Sequence, residues 1–174
     1  MKKILFLMLA GMLTAGASHG QKLSKKFSFG FGLEGGPTTG VISNTYGGAG
    51  GLTLRASYHI GPGFATLTSG YLGYFPKSLA GGNLSAGTQF PIKAGYKYIF
   101  LKHLFAMGEL GYSKFTTYYL DFAGNSASAS TGGFTYAPAV GVQFGAFEAG
   151  VRYEATAVTG GSYGLIGVRL GFNF

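Results

Sequence analysis

Nine charged side chains share one face of the alternating segments in this sequence. Their types and spacing make them the first candidates for a functional site. They are Glu34, Arg55, Lys93, Lys97, Glu109, Glu148, Arg152, Glu154 and Arg169. Five are basic and four are acidic, so they can pair, and pairing is what allows charges to be held away from water. The set predicts either a salt-bridged plug or the lining of a narrow polar path. We expect Glu109 to pair with Lys93, and Arg169 with Glu148 or Glu154.

Groups suited to catalysis or metal binding are few. The chain has no Cys, which excludes thiol chemistry and disulfides. His59 and His103 fall at predicted tight turns, with no carboxylate at metal-ligand spacing beside them. A catalytic site would need such a base held within hydrogen-bond reach of its substrate. We therefore expect no catalytic residue, no metal ligand and no cofactor.

One phosphate-binding motif occurs by spacing alone. Residues 30–35, GFGLEG, fit the GxGxxG pattern. That pattern binds a dinucleotide only between a strand and the start of a helix. Here the glycines alternate with apolar residues, and Gly36 and Pro37 open a loop. We interpret these glycines as small residues on the inner face of a strand.

The first twenty residues have the layout of a secretory signal peptide. Lys2 and Lys3 precede an apolar run over residues 4–13, which is too short for a membrane-spanning helix, and small residues follow. We expect cleavage after Ala17 or Gly20, so that residues 1–20 are the signal and residues 21–174 form one domain. The net charge of +8 comes with only 10% charged residues, which for an exported chain argues against a nucleic-acid partner.

Strands are predicted throughout the rest of the chain, because 33 glycines interrupt any helical pattern. Eight segments alternate with period two: residues 27–34, 50–59, 64–75, 85–100, 104–120, 134–144, 147–154 and 167–174. For the third segment, the two faces are similar, and the sequence does not decide which of them points inward. Predicted connections alternate between long loops (37–48, 76–83, 121–133 and 155–162) and tight turns (60–63, 101–103 and 145–146). This rhythm is typical of outer-membrane barrels, whose loops and turns lie at opposite ends.

The two faces of these segments differ in a way that selects one architecture. One face is aliphatic and aromatic, and the other is Gly, Ala, Ser and Thr with the nine charges. A water-facing exterior this rich in Gly and Ala would be unusual, whereas the interior of an eight-stranded barrel has room only for side chains and favours small ones. We predict an all-β, eight-stranded antiparallel up-and-down transmembrane β-barrel, monomeric, with its aromatic face in lipid.

Particular segments add a family resemblance. PIKAGYKYIF (residues 91–100), GELGYS (residues 108–113) and the C-terminal strand ending in Phe174 resemble the small outer-membrane β-barrel family common in Bacteroidetes, over residues 27–174. The resemblance implies location in the bacterial outer membrane. It also implies that the terminal strand is the signal read by the barrel-assembly machinery. The residues of this assembly signal are Val168, Leu170, Phe172 and Phe174.

These observations predict a non-enzymatic protein with a structural or interaction role. Any recognition would lie on the long external loops, with residues 121–133 as the first candidate, and the sequence names no ligand for them. Three alternatives stay open: a narrow pore for small solutes, an outer-membrane lipid-modifying enzyme, and a soluble exported barrel that binds apolar ligands.

Overall fold

A computed structural model of the protein describes residues 26–77, 84–120 and 126–174; the predicted signal peptide lies outside these residues. The strands are β1 (Phe27–Gly40), β2 (Tyr46–Ile60), β3 (Gly63–Pro76), β4 (Leu84–Phe100), β5 (Leu104–Leu120), β6 (Ser126–Phe144), β7 (Phe147–Val158) and β8 (Gly161–Asn173). A short 3₁₀ helix, Val41–Asn44, connects β1 to β2. No helix among the described residues is long and apolar enough to cross a bilayer.

The eight strands pair in chain order and close into a barrel. Every neighbouring pair is antiparallel, and β8 pairs with β1 from Asn173 opposite Gly30 to Tyr163 opposite Gly40. Beyond the last strand residue, the backbone of Phe174 exchanges two hydrogen bonds with Phe29, at 2.7 and 3.0 Å. Closure satisfies backbone groups that an open sheet would leave unpaired. The predicted eight-stranded up-and-down barrel is confirmed.

The inward and outward faces follow the predicted alternation. Outward residues such as Leu54 (66% exposed) and Leu33 (62%) alternate with inward residues such as Arg55 (1%) and Glu34 (4%). The third segment, whose register the sequence leaves open, turns Thr68 and its even-numbered neighbours inward. A side-chain period of two explains this result, since pairing fixes every second residue to the same side of the sheet.

The strands extend further than predicted at the end where the long loops were expected. The predicted loop 37–48 contains the end of β1, the 3₁₀ helix and the start of β2, and the predicted loop 155–162 is a hairpin with its turn at residues 159–160. The predicted loop 121–133 is also mostly strand, because β6 begins at Ser126 and pairs with Leu120. Backbone ladders need no apolar side chains, so segments of Gly, Ser and Thr can continue them.

The two barrel ends are nonetheless distinct. The tight turns at residues 61–62, 101–103 and 145–146 lie together at one end, called here the turn end. The opposite end, called here the loop end, carries the 3₁₀ helix and the hairpin between β7 and β8. Between β3 and β4, the predicted loop 76–83 overlaps the last residue of β3, Pro76, and residues 78–83 lie outside the described residues.

Candidate functional site

All nine charged residues project into the barrel. They come from β1, β2, β4, β5, β7 and β8, and each is no more than 4% exposed. Their positions follow from the alternation, since each has the parity of the small residues on its strand. The result is a core of acidic and basic side chains inside a shell of backbone, which is the reverse of a water-soluble domain.

Glu148 is the centre of one group, called here the Glu148 cluster, which contains Arg55, Lys97 and Arg169. Its Oε1 accepts hydrogen bonds from Nη1 of Arg55 and Nη1 of Arg169, both at 2.6 Å. Its Oε2 accepts one from Nζ of Lys97 at 2.9 Å. Three cations therefore share one carboxylate. Lys97 also donates to Oε1 of Gln143 at 2.8 Å.

Arg152 is the centre of a second group, called here the Arg152 cluster, which contains Glu34, Glu109, Glu154 and Lys93. Nη2 of Arg152 contacts Oε1 of Glu34 and lies 2.9 Å from Oε2 of Glu154. Its Nη1 lies 3.5 Å from Oε2 of Glu109, and Nζ of Lys93 pairs with Glu154. Here three carboxylates share two cations, so this cluster has the opposite imbalance.

The pairing differs in part from the one expected for adjacent strands. Arg169 does pair with Glu148, but Lys93 pairs with Glu154 rather than with Glu109. Glu109 instead contacts Arg152, and its Oε1 lies 3.8 Å from Nε of Arg55, which links the two clusters. Adjacency on the sheet is a poor guide here because side chains in a narrow bore reach across it.

Aromatic rings fill the barrel toward the loop end. This group, called here the aromatic plug, consists of Tyr46, Tyr74, Phe115 and the partly buried Tyr163. Ring centroids are 5.0 Å apart between Tyr74 and Phe115, and 5.8 Å between Tyr46 and Phe115, each near perpendicular. Such edge-to-face contacts are favourable beyond the area they bury.

The aromatic plug is the feature that sequence reasoning missed. Tyr46 fell in a predicted loop, Tyr74 in the segment of open register, and Phe115 at the blurred end of its segment. One signal was available, because Phe115 has the same parity as Glu109 and so belongs to the inner face. The plug is linked to the Arg152 cluster through Gln89, because the Tyr74 hydroxyl donates to Oε1 of Gln89 and Nε2 of Gln89 donates to Oε1 of Glu154 at 2.8 Å.

The turn end is closed by apolar side chains. Phe105 (2% exposed) and Met107 (6%) pack there with Ala139. Nζ of Lys97 lies 5.5 Å from the centroid of the Phe105 ring, a cation–π distance. A cavity of about 10 Å³ adjoins this packing beside the Glu148 cluster, which is about the room of one water molecule. Charges and rings thus occupy the bore from end to end of the described barrel.

The groups considered for catalysis lie apart from this core. His59 and His103 are exposed at the turn end, where His103 stacks on Phe144 with centroids 4.7 Å apart. Within the part of the chain that the structure describes, no three His, Asp or Glu side chains are grouped to hold a metal ion. Residues 30–35 of the GxGxxG match lie inside β1, where no helix start can meet a phosphate.

The terminal strand presents its aromatic residues outward. Its four residues of interest are about half exposed: Val168 (52%), Leu170 (49%), Phe172 (42%) and Phe174 (56%). The rings of Phe172 and Phe174 lie 6.2 and 6.4 Å from that of Phe31 on β1. An aromatic contact therefore runs along the outside of the seam between the first and last strands.

The barrel exterior is apolar around its middle and cationic at its ends. The exposed charged side chains of the described exterior are all lysines, Lys26, Lys77, Lys102 and Lys114, and they lie at or toward strand ends. Large apolar residues such as Leu67 and Val140 are more than half exposed between them. With charges inside and apolar residues outside, this surface belongs in lipid. The chain is an integral β-barrel of the outer-membrane type.

Comparison with known proteins supports this fold. No protein-family model matches the sequence, and no curated protein matches it. Among solved structures, it is similar to the N-terminal β-barrel domain of Pseudomonas aeruginosa OprF (14% identity, 84% of this chain and 97% of that chain, TM-score 0.63). It is also similar to Ail, the attachment invasion locus protein of Yersinia pestis (16%, 85% and 97%, 0.59), and to Neisserial surface protein A (15%, 86% and 98%, 0.55). At these identities the likeness is one of fold: a small outer-membrane β-barrel.

Proposed function

We propose that this protein is a non-enzymatic integral protein of the bacterial outer membrane, with a closed interior and an interaction surface at its loop end. It acts as a monomer in outer-membrane lipid and is inserted by the barrel-assembly machinery. Membership of the Bacteroidetes-type family is part of the proposal, supported by the PIKAGYKYIF and GELGYS segments, which form the adjacent strands β4 and β5.

The filled bore is the observation that carries the proposal. The Arg152 cluster crosses the barrel, the aromatic plug lies on its loop-end side, and Phe105 with Met107 lies on the turn-end side. The cavity beside the Glu148 cluster is only about 10 Å³. A solute pathway would require breaking buried ion pairs, which are costly to separate in a low-dielectric interior. This favours the salt-bridged plug over the pore alternative.

Conductance in planar bilayers tests the closed interior. We expect the refolded protein to give no steady channel steps above the bilayer background. Tyr74→Ala removes one ring of the aromatic plug and so tests whether the plug closes the bore. Tyr98→Ala, which removes an outward ring, is its control. Steady conductance in the unaltered protein, changed by Arg152→Gln, would overturn the proposal in favour of a pore.

The hairpin of β5 and β6 is the candidate interaction surface. Its ladder continues to Leu120 opposite Ser126, and the Thr116 and Ser130 hydroxyls lie 3.0 Å apart on it. Tyr118 and Tyr119 are 47% and 42% exposed near its tip. Exposed tyrosines beside hydroxyl groups are the composition of adaptable recognition surfaces. The candidate is therefore an extended hairpin rather than the long loop that the sequence predicts.

Site-specific crosslinking on intact cells tests this surface. A photoreactive residue replacing Tyr118 should give a crosslinked product that the same residue at Tyr98, on β4 near the turn end, does not give. Equal products at both positions would refute a specific surface on the hairpin. Surface labelling of the same two positions reports the orientation of the barrel independently.

A further inference from the structure

The buried charges of the barrel do not balance. Arg55, Lys93, Lys97, Arg152 and Arg169 face four glutamates, and all nine side chains are buried. With all nine groups ionised, one positive charge is left without a counterpart inside the described barrel. An uncompensated buried charge strongly destabilises the folded state, so the excess calls for one more negative charge.

The imbalance is located at the Glu148 cluster. There one carboxylate receives Arg55, Lys97 and Arg169, whereas the Arg152 cluster has one carboxylate more than it has cations. Two links join the clusters. The 3.8 Å contact from Arg55 to Glu109 is too long for a strong hydrogen bond, and the Thr68 hydroxyl, which accepts from Nε of Arg55 at 3.0 Å and donates to Oε1 of Glu109, carries no charge. An additional anion is therefore needed on the Glu148 side.

Two guanidinium nitrogens mark where it would lie. Nη2 of Arg55 and Nη2 of Arg169 are buried and have no hydrogen-bond partner among the described residues. Both arginines line the cavity of about 10 Å³, together with Glu148 and the apolar side chains of Phe105 and Met107. The nitrogens of Arg152 also have no hydrogen-bond partner among the described residues, but that cluster already has an excess of carboxylates. Buried donors without partners are rare in proteins, and a bound water molecule or ion is one explanation for them.

From this arrangement we infer that the barrel binds one monovalent monatomic anion, chloride in an outer-membrane setting, between Arg55 and Arg169. A single negative charge brings the nine-residue network to neutrality. The cavity has room for about one water-sized species, which excludes phosphate, sulfate and carboxylates.

Folding stability in different sodium salts tests the site. The refolded protein is unfolded with urea in sodium chloride and in sodium gluconate at equal ionic strength, gluconate being too large for the cavity. Chloride should stabilise the folded state in a saturable manner. At ten times its dissociation constant the folding equilibrium constant rises about elevenfold, and bromide should act similarly.

Two variants and one direct observation complete the test. Arg169→Gln leaves four basic and four acidic groups inside and should abolish the difference between chloride and gluconate. Lys114→Gln, which removes an exposed cation, should keep the difference. Crystals of the unaltered protein grown in bromide should show an anomalous peak within hydrogen-bond reach of both Nη2 atoms, a result that does not depend on any variant folding.

Equal stability in chloride and gluconate would overturn the inference. So would a difference that Arg169→Gln retains, or bromide crystals without an anomalous peak between the two guanidinium groups. A water molecule in the cavity would give that last result and would mean that the network tolerates its surplus charge. None of these three results bears on the proposed function, since a closed barrel could hold either water or an anion in this cavity.

Discussion

Replacing Glu148 with Gln tests whether ion pairing holds the barrel interior together. Glu148 is 1% exposed and accepts hydrogen bonds from three cations, at 2.6, 2.6 and 2.9 Å. Glutamine keeps the shape but removes the only negative charge in the cluster. Arg55, Lys97 and Arg169 would then keep only one carboxylate contact, the 3.8 Å contact of Arg55 with Glu109, and the surplus among the buried side chains would rise from one positive charge to two.

The expected loss of stability is about 3 to 5 kcal/mol, the range for removing one partner of a buried ion pair. Three charge-assisted hydrogen bonds would set an upper limit of about 4.5 to 9 kcal/mol at about 1.5 to 3 kcal/mol each. The net value is smaller because the amide oxygen can still accept hydrogen bonds and because glutamine is less costly to bury than a carboxylate. Total stability of a domain is about 5 to 15 kcal/mol, so the variant would be close to unfolding.

Urea unfolding of the refolded barrel in detergent, followed by the gel shift between folded and heated protein, measures this loss. Lys114→Gln is the control and should change stability by less than about 0.5 kcal/mol, as an exposed substitution. Adding Arg169→Gln to the Glu148 variant removes one of the unpaired cations and should restore about 0.5 to 3 kcal/mol, the usual coupling of a contacting pair. A Glu148 variant within 1 kcal/mol of the unaltered protein would refute the argument.

One deletion and two substitutions test other features of the barrel. Deleting Phe174 removes both hydrogen bonds to Phe29 and should lower the folded protein recovered from outer membranes several-fold, as seen by heat-modifiable migration on gels. Tyr74→Phe leaves Oε1 of Gln89 without its donor and should cost about 1 to 3 kcal/mol in urea unfolding. Gly141→Ala would place a Cβ against the backbone carbonyl oxygen of Ala149 and 2.6 Å from both Cα of Gly150 and the Phe105 ring, and should cost about 1 to 3 kcal/mol by overpacking.

Each of these has a matched control in the same barrel. Phe174→Tyr keeps a terminal aromatic and should assemble normally; equal recovery of the deletion would show that the last residue is dispensable. Tyr98→Phe alters an outward hydroxyl and should be neutral, so equal losses at both tyrosines would contradict the role of the inner hydrogen bond. Gly108→Ala meets nothing within 4 Å, and a cost like that of Gly141→Ala would point to strand propensity instead.

Side-chain parity made most of this fold predictable from sequence. Phe29 and Arg55 could be assigned to opposite faces because each lies in a run whose alternation has only one arrangement that buries charge. The face of β3 could not be assigned in this way, since Leu67 and Leu72 have opposite parity and are both apolar. Its register comes from pairing with β2, where Leu67 lies opposite Ala56.

Strand ends and ion-pair partners were beyond sequence reasoning for a different reason. Residues 126–133 consist of Ser, Ala, Thr and Gly, a composition shared by loops and by solvent-exposed ladders, so only the partner strand decides between them. Lys93 meets Glu154 because their side chains cross the bore at the same height, which depends on the stagger of the strands.

The seam between Phe29 and Phe174 also determines when this chain can fold. It joins the first strand to the last, so the ring closes only after nearly the whole chain has been made and delivered to the membrane. Contacts this distant in sequence carry a high loop-closure entropy and slow folding. A chain that still lacks β8 consequently cannot close the barrel, and its apolar strands cannot complete their backbone pairing.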